Sequence, residues 1–145
     1  MRIAARFADE FNITGSAPDR IVERYGWLDE ACHAIGRDPA TITRSAMVGV
    51  MIAADTAGLE RRADAMLDRI GRTPGGDDAQ AWLAARRPRW VMGTYEEARA
   101  ALGRFEAAGV QRIMLQDMLP WDLEMIEEMG RELVGHASTR GVEPR

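Results

Sequence analysis

The chain has 145 residues, 46% of them hydrophobic and 29% charged, with a formal net charge of -4. This is the composition of a globular protein long enough for one sizeable core, and it excludes a disordered or fibrous chain. All 19 basic side chains are arginine, which excludes a lysine Schiff base and a P-loop lysine, and their scatter argues against a nucleic-acid partner.

Cys32 is the one cysteine, so no internal disulfide and no multi-cysteine metal site is expected. No apolar run reaches the roughly 20 residues of a membrane span. The stretch from Met1 to Asp9 lacks the apolar segment of a signal peptide, so a cytoplasmic location with no membrane partner is expected.

In chain order, Met1 to Ala8 reads as the end of a helix, with Ile3, Ala4, Phe7 and Ala8 on one side. Glu10 to Ile13 is a short strand candidate, and Thr14 to Pro18 a loop. Ser16 is placed to cap a helix running to about Ile35, with Gly36 as its stop and Ile21, Tyr25, Leu28, Cys32 and Ile35 at helical spacing. Asp38-Pro39 reads as a cap followed by a proline that starts a helical turn.

The run from Arg44 to Ala53 is nearly all apolar, as suits a strand buried on both faces of a parallel sheet. Asp55 or Thr56 then opens a helix to Ile70, with Leu59, Ala63, Met66 and Ile70 on one face. Gly71 to Asp78 reads as a mobile loop, and residues 71–92 as an insert anchored by Trp82, Leu83, Trp90 and Val91. Gly75-Gly76 in that loop is not a phosphate-binding signature, because no strand precedes it.

Thr94-Tyr95-Glu96-Glu97 fits a capping box for a helix to Ala108, stopped by Gly109. Gln111 to Gln116 is the third strand expected, Asp122 begins a last helix through Leu133, and residues 135–145 form a polar tail. Three strands separated by helices imply an α/β fold with a parallel sheet. A (β/α)8 barrel uses about 250 residues, or roughly 31 per unit, so the spacing fits its last three units; an open sheet fits as well.

Four motifs in order bear on that choice. Arg2 to Asn12 (RIAARFADEFN) resembles the stretch of luciferase-like monooxygenases in which an alanine- and arginine-rich helix leads into A-D-x-[WF]-N. Leu28 to Pro39 is similar to that family's L-x-x-x-C-x-x-x-G-R-D-P, Gly93 to Ala98 to its G-T-P-E-E-V, and Phe105 to Gln116 to its F-x-x-A-G-V-x-R-[VI]-x-L-Q. Phe11 stands where many members have tryptophan, and Tyr95 where proline is common. The resemblance lies closest to the branch that uses the deazaflavin coenzyme F-420.

The resemblance implies an incomplete (β/α)8 barrel made of the last three strand-helix units, over residues 1–134, without the first five strands and the glycine loop that helps hold the cofactor phosphate. It implies a flavin-dependent oxidoreductase or monooxygenase using coenzyme F-420 as first choice, or FMN, with a small organic substrate and no metal. Hydride transfer and oxygen activation both stay open. Partial barrels expose sheet edges, so a homo-oligomer through those edges is a further expectation.

Active sites of such barrels lie at the C-terminal ends of the strands, which nominates Asn12, Thr14, Ala53, Gln116 and Asp117. Asn12, Thr14 and Gln116 are the candidate cofactor contacts; Asn12 closing a turn and Gln116 in a structural role are the plainer readings.

His33 sits mid-helix on the expected outside, and His136 in the polar tail, so neither is placed for acid-base work. Cys32 reads as core, as do most methionines. Asp117 and Asp122 form a possible carboxylate pair, although Asp122 reads better as a cap. Glu127, Glu128 and Arg131 read as a solvated helix face. Trp82 and Trp90 either cover a substrate pocket or pack against the flank. A non-catalytic remnant, a half-barrel that works beside a partner, and a small α/β binding module are the competing readings.

Overall fold

The computed structural model describes residues 1–71 and 78–134. The loop expected at residues 71–78 and the polar tail, with His136, lie almost wholly outside the described residues.

The organising element is an eleven-residue strand, β2 (Thr43–Ala53), buried along most of its length. Strand β1 (Glu10–Thr14) pairs with it in parallel from Thr43 to Met47, and β4 (Arg112–Asp117) from Ser45 to Val50. Residues 45–47 therefore have partners on both sides, so β1 and β4 lie on opposite edges of β2.

A fourth strand, β3 (Val91–Thr94), pairs in parallel with residues 50–53 of β2. Val50 pairs with both Val91 and Asp117, so β3 lies opposite β4 and continues along the edge that β1 leaves at Met47. This strand was not expected: residues 79–92 were read as insert with apolar anchors. Four residues are too few for a periodicity to stand out. Among the described residues no further strand pairs with the outer edge of β1 or β4.

Six helices accompany the strands. α1 (Arg2–Phe7) precedes β1, and α2 (Pro18–His33) follows it. Ile21, Tyr25, Leu28 and Cys32 of α2 are buried as their spacing predicts, but Ile35 lies beyond the helix and is exposed. Ser16 does not cap α2; its hydroxyl donates to the Thr14 carbonyl. On α1 the predicted apolar side is divided: Ile3 is 80% and Phe7 72% exposed, whereas Ala4 packs against the core beside the buried Ala5.

Arg37 ties this end together. Its guanidinium donates to the Ala5 and Ala8 carbonyls at 3.0 and 2.8 Å, satisfying carbonyls at the end of α1. Asp38 caps the short 3-10 turn Pro39–Thr41 through the Ala40 N–H.

Beyond β2, α3 (Thr56–Ile70) is capped by Asp55, and it buries Leu67 where Ile70 was expected, Ile70 being exposed. α4 (Ala79–Arg86) leads to β3, and Thr94 and Glu97 close the expected capping box of α5 (Tyr95–Ala107). α6 (Leu123–Glu132) is capped by Asp122.

Alternation along β2 sorts the side chains. One face carries Ala46, Val48, Val50 and Ile52 and packs under helices: Phe11 meets the ring of Tyr25 edge-on, and the Arg44 guanidinium lies over that ring and binds Asp29 of α2 at 2.6 Å. The Tyr25 hydroxyl donates to the Ser45 carbonyl at 3.0 Å. The opposite face is helix-free at its lower half, where Asn12, Thr14, Met114 and Gln116 are exposed.

Burial pushes the Tyr25 hydroxyl up to about 12, against an opposing pull from Arg44. Its folded value is raised, so its contribution to stability is complete below the ordinary tyrosine value of about 10 and is lost as pH climbs through the folded value. Urea midpoints are expected to fall between those limits more steeply for the wild type than for Tyr25→Phe. Parallel pH profiles for the two proteins would contradict this account.

Candidate functional site

All four strands are parallel, so their C-terminal ends share one rim, where ligand sites of parallel sheets form. On the uncovered face, register and alternation set out four levels, at Thr43, Ser45, Met47 and Gly49 of β2. Glu10, beside Thr43, and Arg112, one level higher beside Ser45, form an ion pair at 2.5 Å across the strand between them. At the Ser45 level the Asn12 amide donates to the Ser45 hydroxyl at 3.0 Å, and from the Met47 level the Thr14 hydroxyl donates to the Asn12 carbonyl oxygen at 3.3 Å. At the upper level Gln116 is the cross-strand partner of Gly49.

The structure thus brings Asn12 and Thr14 into direct contact and puts Gln116 on the same face. Asn12 does not close a turn; it is mid-strand. Its amide and the Thr14 hydroxyl are already engaged, whereas the Gln116 amide has no hydrogen-bond partner among the described residues. Asp117 points to the other face. One carboxylate oxygen accepts from the Leu119 N–H at 2.7 Å, and the other is buried without a partner among the described residues. It does not join Asp122, which caps α6 by accepting from the Met125 N–H at 2.9 Å. His33 is exposed on α2, and Cys32 is buried.

Sequence reasoning missed two constellations. The first is centred on Arg62 of α3, whose side chain is only 10% exposed. It binds Asp122 through two nitrogens at 2.7 and 3.3 Å, Glu128 at 2.7 Å and the Ile52 carbonyl at 2.5 Å. The Tyr95 hydroxyl donates to the other Glu128 oxygen at 2.6 Å. Glu128 is therefore not on a solvated face as expected; it is 8% exposed. Its position three residues after the fully buried Met125 was the available signal.

Burial alone works against ionisation of Asp122, but the Arg62 bond and the Met125 N–H outweigh it and hold the carboxyl below its ordinary value. Burial likewise opposes the Arg62 charge, and the two carboxylates outweigh it, raising the guanidinium.

Arg62, Asp122 and Glu128 line a polar cleft of about 290 Å³ with Ala53, Asp55 and Gly58. Of the expected rim residues Ala53 alone borders it; Asn12, Thr14 and Gln116 do not. Its carboxylates are matched to Arg62, so the cleft reads as a structural seam between α3 and α6.

The second missed constellation is Gly49 under Trp90. A Cβ on Gly49 would lie 2.2 Å from Trp90 Cε2 and 2.3 Å from Cδ2, so the indole rests directly on the strand backbone. Trp82 meets Trp90 edge-on, with centroids 5.5 Å apart, and the Arg86 guanidinium covers the Trp82 ring at 4.0 Å. A glycine inside an apolar strand run signals such close approach.

No protein-family model and no curated protein sequence matches the chain. Solved structures do, and they fix the class of fold: α/β, part of a (β/α)8 barrel. The chain is similar to a coenzyme F420-dependent tetrahydromethanopterin reductase of Methanopyrus kandleri at TM-score 0.66 and 16% identity, over 93% of this chain and 47% of that one. It is similar to a monooxygenase of Streptomyces bottropensis at TM-score 0.65 and 18% identity, over 93% and 44%. An F420-dependent secondary alcohol dehydrogenase, in complex with an F420-acetone adduct, matches at TM-score 0.60 and 15% identity, over 88% and 43%. The chain spans less than half the length of each, and likeness at this identity shows the fold.

Arg62→Met is expected to lower unfolding free energy by about 3–5 kcal/mol, because two partly buried carboxylates lose their counter-charge. Adding Glu128→Gln should restore part of the loss; urea denaturation reads both. The depressed Asp122 value acts on the acid side. Its contribution is present above the ordinary carboxylate range and lost as pH falls through the lowered value. The acid transition should shift to higher pH in Asp122→Asn.

Proposed function

We propose that this chain forms part of the cofactor-binding wall of a luciferase-like oxidoreductase, with coenzyme F-420 as first choice and FMN as second. The observation that carries this reading is the uncovered sheet face, which presents Asn12, Thr14 and the unengaged Gln116 toward the C-terminal ends of parallel strands. The solved neighbours support it, since two of them are described as F420-dependent.

The donor set fits the ring system of such a cofactor. Amides and a hydroxyl can bond its carbonyl and ring-nitrogen edge, and an indole and methionines suit its flat surface. When bound, the deazaflavin or flavin supplies the hydride or electron chemistry; the protein supplies orientation and exclusion of water. Gln116 would hold the ring edge, because its amide is uncommitted. Thr14 would accept a hydrogen bond while its own proton stays on Asn12, and Ser45 would keep Asn12 from rotating. Arg112 is committed to Glu10 at the far end of this face, so it leaves phosphate to other contacts. The substrate is a small organic molecule on the open side of the ring, and monooxygenase and reductase chemistry both remain compatible with these contacts.

A second reading is a half-barrel that works only beside a chain or segment completing the ring. It is favoured by the unpaired outer edges of β1 and β4 among the described residues, and by the exposed Ile3 and Phe7 of α1.

Equilibrium dialysis of the full chain with oxidised and reduced coenzyme F-420 and with FMN tests the first reading. Gln116→Ala should weaken binding about three- to tenfold, the loss expected for one hydrogen bond, and Asn12→Ala by a similar factor. A folded, monodisperse chain that takes up none of these cofactors would favour the second reading.

A further inference from the structure

We infer that Trp90 is a ligand-contacting residue, forming the stacking floor on which a planar heteroaromatic ring lies beside Gln116. The inference deepens the reading proposed above and rests on it.

Trp90 immediately precedes Val91, the partner of Val50, so it stands as the cross-strand neighbour of Gly49 and shares its face. On the other edge the neighbour of Gly49 is Gln116. Across the sheet at this level stand the indole, the Gly49 backbone it lies over, and the free amide. The atoms a Gly49 Cβ would meet, Cδ2, Cε2 and Cζ2, include both ends of the bond shared by the two rings, so the indole lies across the strand. Any side chain at 49 would lift it off.

The surroundings suit a ligand better than a finished core. Trp90 and Met47 are only partly buried, and Met114 is 38% exposed, while Met51 and Met92, one step farther along the strands, are fully covered. The indole thus borders the covered and the open parts of one face. Trp82 braces it edge-on. A rigid aromatic surface with one uncommitted amide at its margin selects a flat ring system with a polar edge, as in a flavin or deazaflavin.

The test uses the full 145-residue chain with coenzyme F-420 and FMN as probes. Binding is followed by equilibrium dialysis, and the indole by quenching of tryptophan emission. Wild type should bind one probe with quenching. Trp90→Leu should weaken binding about five- to tenfold and remove most of the quenching, given the usual strength of aromatic pairs. Gly49→Ala should weaken binding by displacing the indole. Trp27→Leu, on α2, should change neither the affinity nor the absolute amount of emission lost on binding, so the fraction quenched should rise as this unquenched indole is removed. If Trp90→Leu does not fold, Trp90→Phe decides: retained affinity with lost quenching supports the inference, and unchanged quenching overturns it. Wild type that binds while Trp90→Leu binds equally well overturns this inference alone. Wild type that binds neither probe overturns the cofactor reading as well.

Discussion

The structure depends on one strand being hydrogen-bonded along both edges. β2 cannot satisfy its eleven residues' backbone groups against water, because most of it is buried. β1 and then β3 serve one edge, and β4 serves the other. The order of levels on the open face follows from those registers. So does the grouping of Asn12, Thr14, Gln116 and the Glu10–Arg112 pair with the methionines on the face opposite Ala46, Val48, Val50 and Ile52.

The rim is held by a second constraint, the charge cluster of Arg62. One guanidinium reaches the last turn of β2 through the Ile52 carbonyl and the start of α6 through Asp122, and Glu128 passes the contact to Tyr95 at the start of α5. Three elements far apart in sequence are thereby fixed to one another. Such a cluster costs desolvation, and what it returns is geometry: hydrogen bonds to fixed partners leave α6 few alternative positions.

Much of the architecture was legible in the sequence because it is written in local chemistry. The Asp38, Asp55, Thr94 and Asp122 caps, the Gly36 and Gly109 stops and the buried run of β2 each carry a short-range signal. β3 was not legible, since four residues give too little periodicity, and its pairing with β2 is set by tertiary contacts. Glu128 misled because Glu127 and Arg131 beside it describe a solvated surface, while its partner Arg62 lies 66 residues away. Of the rim residues, Asn12, Thr14 and Gln116 share a face as alternation predicts. Asp117 does not, and the same alternation explains why. Trp90 was visible as an apolar anchor, but its seat on Gly49 needed the register.

The register of β4 on β2 has a modest origin of its own. At the lower end of β4 the Gln111 N–H donates to the Arg44 carbonyl, and the Arg44 N–H donates to the Gln111 side-chain oxygen. One glutamine thus grips both backbone groups of one residue on the neighbouring strand and acts as a clasp before the ladder begins. A slip of one position would turn every β4 side chain to the opposite side, sending Gln116 under the helices and Asp117 into the open. The direction in which Gln116 points is therefore tied to a contact five residues upstream, made by a side chain at the opposite end of its strand.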